Sequence, residues 1–122
     1  MINNYTISST EKFQISDINF NNDGLVPVIS QCVHTGVILM MAWMNEEALK
    51  KTIDTNDMHY FSRSRQKLWQ KGETSGHFQK LHELRLDCDN DTILALIEQT
   101  GSACHTGAKS CFFKSAKDIH NE

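Results

Sequence analysis

The string DCDND at residues 87–91 constrains the fold more than any other feature of this chain, because metal-binding side chains of two kinds alternate in it. Cys104 and Cys111 follow it further along the chain. Thiolates bind soft ions such as zinc, whereas carboxylates bind hard ions such as Mg²⁺. We therefore expect the fold to gather residues 87–111 around metal, with one soft site and one hard site.

The carboxylates of this string predict the hard site. On an extended backbone alternate side chains share a face, so Asp87, Asp89 and Asp91 are expected to project together. Cys88 is then expected on the opposite face. Three carboxylates on one face repel each other unless a cation lies between them, which favours Mg²⁺. The alternative is a solvated acidic turn that binds no ion.

Whether the soft site holds a catalytic or a structural zinc depends on the number of protein ligands. Cys88, Cys104 and Cys111 supply three sulfurs, without the paired Cys-x2-Cys spacing of most structural zinc fingers. Three protein ligands leave a fourth position for water, whose pKa zinc lowers from about 15.7 to about 7. We expect a catalytic zinc of this kind. In the alternative, Cys32 or His105 fills the fourth position and the zinc is structural, although Cys32 lies in a strand pattern typical of a buried thiol.

Composition favours metal binding over disulfides. The chain has 122 residues, which is one domain, and its net charge of −3 predicts no general attraction to nucleic acid or to an anionic membrane. Residues 1–6 lack a signal-peptide pattern, and no run of about 18 apolar residues occurs. We therefore expect a cytoplasmic protein, in which thiols stay reduced and are available to metals.

Hydrophobic patterning predicts one α+β domain over residues 1–122, with an N-terminal arm at 1–24 and a metal-dependent core at 25–114. Strands are predicted at residues 28–33, 37–44, 58–62, 78–86 and 93–97, in a mostly antiparallel sheet, with the first two forming a hairpin. The last run fits a helix segment equally well. Asn45 is predicted to cap a helix whose apolar stripe is Ala48, Leu49 and Ile53.

A long polar loop is predicted at residues 64–76. Four cations, Arg63, Arg65, Lys67 and Lys71, fall within nine residues in and beside it. Arginine binds phosphate through paired N–H donors, hydroxyls add neutral donors, and Trp69 offers a face on which a base can stack. Long loops without secondary structure are typically functional. The segment therefore predicts a nucleotide-binding loop, and the alternative is a solvated basic loop.

Two histidines are candidates for acid–base chemistry. His77 ends the polar loop and His105 follows a predicted zinc ligand, so each is a candidate general base or acid near a metal-bound water, and we prefer His105. The remaining four histidines are expected to be hydrogen-bonded structural residues: His34, His59, His82 and His120.

Taken together, these segments resemble the phosphoribosyl-AMP cyclohydrolase family of histidine biosynthesis. The resemblance extends over residues 28–112. It is carried by six strings in the family's order, LMMAWMN (39–45), YFSRSR (60–65), LWQKGETSGH (68–77), DCDND (87–91), GSACHTG (101–107) and SCF (110–112).

The resemblance implies Mg²⁺ at the three aspartates and zinc at Cys88, Cys104 and Cys111, with the thiolates drawn from both subunits of an intertwined homodimer. It also implies the third step of histidine biosynthesis. In that reaction a zinc-activated water attacks C6 of the adenine ring of N1-phosphoribosyl-AMP, and the C6–N1 bond opens to give the phosphoribosylformimino imidazole carboxamide ribotide. The expected substrate-binding residues are Ser62, Arg63, Ser64, Arg65, Trp69, Lys71, Glu73, Thr74 and Ser75.

A different class of protein also fits part of the pattern. A non-enzymatic zinc module would bind nucleotide or RNA through the basic loop, and it would need a closed zinc site and a continuous basic surface. The enzyme needs an exchangeable water on zinc and neither nucleic acid nor a membrane as partner. Chains that also carry a pyrophosphohydrolase domain are longer, so only the cyclohydrolase step is expected here.

Overall fold

The computed structural model describes residues 11–117, so His120 and the first ten residues of the predicted arm lie outside the described part. The elements are a 3-10 helix (Ile15–Asp17), β1 (Val26–Cys32), β2 (Ile38–Met44), α1 (Glu46–Thr55), β3 (His59–Ser62), β4 (Lys67–Gln70), β5 (Gln79–Leu86) and β6 (Ile93–Gln99). The strands form a four-stranded sheet of order β2-β1-β6-β5 and a separate two-stranded sheet, β3-β4. The predicted α+β class is confirmed.

The central strands of the larger sheet carry the core. The β1–β2 hairpin is antiparallel as predicted, and β5–β6 is a second antiparallel pair. The run at 93–97, which fitted strand or helix equally, is the strand β6, and it pairs parallel with β1. Its continuous apolar character is typical of a strand buried in a sheet centre, and Ile93, Ala95 and Ile97 are fully buried.

Helix α1 begins where the sequence predicts. The Asn45 side chain accepts a hydrogen bond from the Ala48 N–H at 2.8 Å. The predicted apolar stripe is wrong at Ile53, which is 45% exposed, whereas Thr52 is fully buried. Thr52 donates its hydroxyl hydrogen to the Ala48 carbonyl at 2.8 Å and accepts from the His59 N–H at 2.9 Å. Because these bonds satisfy its hydroxyl, a polar residue can occupy the buried face.

The predicted loop at 64–76 is wrong in part, because strand β4 lies within it. Tyr60 pairs with Trp69 across the β3–β4 ladder, and their rings lie 5.3 Å apart. Such an aromatic cross-strand pair stabilises a strand that is otherwise polar in sequence. Gln66, at φ 51°, closes the tight turn between the two strands. The basic residues therefore lie on a hairpin rather than on an open loop.

A buried polar network joins this hairpin to the larger sheet. The Tyr60 hydroxyl lies 2.6 Å from Ser30 Oγ and donates to Gln79 Oε1 at 2.7 Å. Gln79 in turn donates to Gln99 Oε1 at 2.7 Å, and Gln99 Nε2 donates to the His77 carbonyl at 3.2 Å. Burial raises the pKa of Tyr60 above its ordinary value, so the phenol stays protonated. The network fixes the backbone at His77 relative to the core.

No helix within residues 11–117 has the length and apolar character needed to cross a membrane.

Candidate active site

A cavity of about 730 Å³ opens between β2 and the β3–β4 hairpin. Seven of the residues that line it belong to the predicted site: Ser62, Arg63, Ser64, Arg65, Trp69, Glu73 and His105. The other lining residues are Met41, Ala42, Trp43, Phe61 and Lys67. The cavity therefore combines three cations, two hydroxyls and several aromatic faces in one concave surface.

The β2 residues that line the cavity are not among the site residues predicted from the sequence. The Arg63 guanidinium lies 4.7 Å from the centre of the Trp43 ring, which is a cation–π contact that orients the cation. Met41 and Trp43 alternate with the buried Met40 and Met44 along β2, so they face away from the core. Large apolar residues on the outer face of a strand are the signal that identifies this wall of the cavity.

A second cavity of about 250 Å³ is lined by further residues of the predicted site. Its lining residues are Lys71, Ser75, His77, Ser102, Ala103, Cys104, His105 and Gly107. His105 lines both cavities, whereas Thr74 is absent from the lining of either. The two predicted histidines are thus brought to the same cavity as one predicted zinc ligand, and only His105 also reaches the basic cavity.

Cys104 and Cys111 lie together beside Lys71. The Thr106 hydroxyl donates to Cys104 Sγ at 3.1 Å, and this bond, with help from Lys71, holds the pKa of Cys104 below its ordinary value. Burial raises the pKa of Cys111, whose thiol hydrogen bonds to that of Cys104. Burial lowers the pKa of Lys71, although the two thiols oppose that effect. This environment favours a thiolate at Cys104, which is the form that binds zinc.

His77 is held in one orientation. Its Nδ1 lies 3.1 Å from the Ser102 carbonyl, which can only accept, so Nδ1 carries the proton in this contact. Gly101 has φ +67°, and a Cβ there would lie 2.6 Å from the His77 ring. Only glycine fits beside the imidazole at this position. In the neutral ring Nε2 is then left unprotonated and able to accept a proton.

The three aspartates form a cluster, but on a turn rather than on an extended strand. One carboxylate oxygen from each of Asp87, Asp89 and Asp91 lies within 4.8 Å of the others. Asn90 has φ 65°, and the N–H groups of Asp91 and Thr92 donate to Asp87 Oδ1 at 3.0 and 3.1 Å. The predicted strand geometry is wrong because these bonds fold the backbone back on itself, and the turn itself gathers the carboxylates.

The charges in this turn suit a cation. Hydrogen bonding to Asp91 and Asp87, together with the charge of Asp87, raises the pKa of Asp89 above its ordinary value. Burial acts to raise the pKa of Asp87, but the backbone donors outweigh it and lower the pKa. A divalent ion between the three carboxylates would offset their mutual repulsion, and an all-oxygen ligand set fits Mg²⁺.

Part of the N-terminal arm holds the acidic turn. The Asn19 N–H donates to the Asn90 carbonyl at 2.7 Å, and the Asn19 side chain donates to the Asp89 carbonyl at 3.0 Å. The sequence of this arm predicts no role for it. The separation of about 70 residues between the partners leaves no local pattern that could predict the contact.

The three predicted zinc ligands are not gathered within one chain. The Cys111 N–H donates to the Leu39 carbonyl on β2, whereas Cys88 follows β5. Strands β2 and β5 are opposite edges of the four-stranded sheet, so about 14 Å of sheet separates them. Sulfur ligands of a tetrahedral zinc lie about 3.8 Å apart. Among residues 11–117, neither group of three metal-binding side chains within 4.8 Å includes a cysteine.

Comparison with known proteins identifies close relatives. A family model described as Phosphoribosyl-AMP cyclohydrolase matches residues 40–113. A Phosphoribosyl-AMP cyclohydrolase of Acidiphilium cryptum is 59% identical over 100 residues, which are 82% of this chain and 86% of that protein. One of Pseudomonas savastanoi pv. phaseolicola is 60% identical over 101 residues, or 82% of this chain and 78% of that protein.

A longer relative shares the same region. The Histidine biosynthesis bifunctional protein HisIE of Prochlorococcus marinus is 59% identical over 105 residues, which are 85% of this chain. The match spans 46% of that protein, so the chain corresponds to about half of the bifunctional relative.

Proposed function

Because the chain belongs to the phosphoribosyl-AMP cyclohydrolase family, we propose that it hydrolyses N1-phosphoribosyl-AMP in histidine biosynthesis. Water adds to C6 of the adenine ring and the C6–N1 bond opens, so the enzyme is a hydrolase of a carbon–nitrogen bond in a cyclic amidine. The observation that carries this proposal is the position of His105, which connects the basic aromatic cavity to the cavity that holds Cys104.

The larger cavity is the proposed substrate site. Its volume of about 730 Å³ is within the range of ligand pockets. Arg63, Arg65 and Lys67 are positioned to pair with the two phosphates, since arginine binds phosphate through two parallel N–H bonds. Trp43 and Trp69 offer faces for the purine. The remaining predicted contacts with the substrate come from Ser62, Ser64, Lys71, Glu73, Thr74 and Ser75.

The proposed zinc ligands are Cys88, Cys104 and Cys111, and the acidified thiol of Cys104 supports this assignment. Bound zinc supplies a Lewis acid that lowers the pKa of water to about 7. His105 is then the residue that accepts the proton from the attacking water and returns it to N1 as the ring opens. His77, oriented by Ser102 and Gly101, is the second candidate for this proton.

The proposed Mg²⁺ site is the acidic turn, with Asp87, Asp89 and Asp91 as ligands. We further propose that the functional form is a homodimer in which each zinc takes Cys88 from one subunit and the other two thiols from the second. The separation of the thiols on opposite sheet edges supports this arrangement. A two-fold axis repeats any such contact, so it creates two equivalent zinc sites at the interface. All four cysteines are free thiols, which suits a reducing cytoplasm.

An ultraviolet assay tests the activity, because opening the adenine ring changes its absorption. We expect zinc-loaded protein with Mg²⁺ to turn over N1-phosphoribosyl-AMP, removal of zinc by a chelator to abolish turnover, and added zinc to restore it. Binding of the substrate without turnover by fully metallated protein would contradict the proposal and favour the nucleotide-binding zinc module.

A further inference from the structure

Three exposed metal-binding side chains, none of which lines either cavity, also converge on the surface. His34 lies in the turn after β1, His82 on β5 and Glu98 on β6. His34 Nε2 lies 3.1 Å from Glu98 Oε1, and His82 Nε2 lies 3.5 Å from the same oxygen. The two imidazole rings meet edge to face at 6.0 Å. Their ligand atoms all lie within 4.8 Å of one another.

The backbone of the larger sheet brings these three side chains together. Leu81 pairs with Ile97 and Glu83 with Leu96, so His82 is the extra residue of a β-bulge in β5. A bulge redirects the side chain of its extra residue and often marks a functional position. On the other side, the Val33 N–H donates to the Ile97 carbonyl at 2.8 Å, which continues β1 beside β6. The turn and the bulge therefore approach Glu98 from its two neighbouring strands.

The spacing fits a tetrahedral metal ion. Zinc binds imidazole nitrogen and carboxylate oxygen at about 2.0–2.1 Å, so two such ligands lie about 3.3 Å apart around a tetrahedral centre. The contacts of Glu98 with the two imidazoles, at 3.1 and 3.5 Å, lie on either side of that value. Hydrogen bonds from His34 and then His82 lower the pKa of Glu98, so this ligand is ionised at neutral pH.

We propose that His34, His82 and Glu98 form a surface site for a divalent transition-metal ion of the zinc class. The two imidazoles bind through Nε2, the carboxylate supplies the third ligand, and water fills the remaining position. The side chains of His34 and Glu98 are 41% and 55% exposed, so the ion has direct access from solvent. Imidazole ligands favour zinc-class ions over Mg²⁺, which separates this site from the acidic turn.

The ion would connect three strands of the larger sheet. It would tie the turn after β1 to the bulge in β5 through β6, and so stabilise the strand that leads into the acidic turn. A ligand that binds only the folded state raises the free energy of unfolding by mass action. The site therefore has a structural role that is independent of the proposed catalytic zinc.

The test is a calorimetric titration of Zn²⁺ into the full chain that already holds its thiol-bound zinc, with excess Mg²⁺ present. We expect one further equivalent of Zn²⁺ per chain, and a rise in melting temperature when it binds. Glu98→Gln and His82→Asn should each weaken this binding at least about tenfold. The matched control is Glu83→Gln, which removes an exposed carboxylate next to the bulge that is paired with Arg85, and its affinity should be unchanged.

A second measurement needs no variant. In a ¹⁵N spectrum of the imidazoles, Zn²⁺ should shift the Nε2 signals of His34 and His82 and leave that of the buried His59 in place. The absence of a further equivalent in the wild type would overturn the proposal. An equally tight further equivalent in Glu98→Gln, or unchanged signals for both exposed histidines, would also overturn it.

Discussion

The acidic turn and the set of three thiols assemble in opposite ways. The turn gathers Asp87, Asp89 and Asp91 through hydrogen bonds among residues 87–92, so these carboxylates converge within one chain. The thiols belong to segments on opposite edges of the larger sheet, and only Cys104 and Cys111 lie together. Ligands that are contiguous in sequence form a site by local folding, whereas ligands that are far apart depend on topology and assembly.

The largest effect is expected when one of the three thiols is replaced. Cys104→Ser should lose zinc and lower turnover by more than about 100-fold, since changes in the outer shell of a metal alone cost 10- to 100-fold. Metal analysis and the ultraviolet assay measure both quantities. The matched control is Cys32→Ser, because Cys32 packs against the core and lines neither cavity. Full turnover in Cys104→Ser would remove this thiol from the mechanism.

The second largest effect is expected when one carboxylate of the acidic turn is replaced. Asp89→Asn removes one charged ligand, so the Mg²⁺ concentration for half-maximal activity should rise at least about tenfold. Zinc content should not change, because Asp89→Asn leaves all three proposed thiol ligands in place, including Cys88 beside it in the turn. Asp54→Asn, an exposed change on α1, is the control and should leave the Mg²⁺ requirement unaltered. Loss of zinc in Asp89→Asn would show that the two sites are one unit.

Mixing subunits that carry different cysteine substitutions tests whether the zinc ligands are shared between two chains. Chains with Cys88→Ser and chains with Cys104→Ser should each be inactive as homodimers. When the two are co-expressed, half of the dimers are mixed, and each mixed dimer retains one intact site if zinc is shared. Turnover should therefore recover to about one quarter of the wild-type value per chain. No recovery in the mixed sample would place all zinc ligands of a site in one subunit.

The contrast between residues that are contiguous in sequence and residues that are far apart also explains which features the sequence predicts. The residue types of DCDND, the hydrophobic alternation of the strands and the cap at Asn45 are local, and they lead to the acidic cluster, the sheet and α1. The turn geometry was missed because Asn90 adopts a positive φ that alternation does not reveal. The strand β4 was missed because its stability depends on the contact between Trp69 and Tyr60.

Features that join distant segments were not predicted from the sequence. The cavity residues on the β3–β4 hairpin were predicted from their charge and hydroxyl groups, but Trp43 reaches the same cavity from β2. The separation of the thiols follows from the strand order, in which β1 pairs parallel with β6 and leaves β2 and β5 at the edges. Neither relation has a local signature, because each depends on which strands become neighbours.

The smallest expected effect concerns the contact that Asn19 makes with the acidic turn from a distant part of the chain. Asn19→Ala removes the side-chain hydrogen bond to the Asp89 carbonyl but leaves the backbone bond from Asn19 to Asn90. A single exposed hydrogen bond contributes about 0.5–1 kcal/mol, so the Mg²⁺ requirement should rise only about two- to fivefold. Asn21→Ala is the control, since its side chain binds the backbone of residues 23 and 25 instead. A change as large as that of Asp89→Asn would mean that the turn depends on the arm, and that local folding alone does not form it.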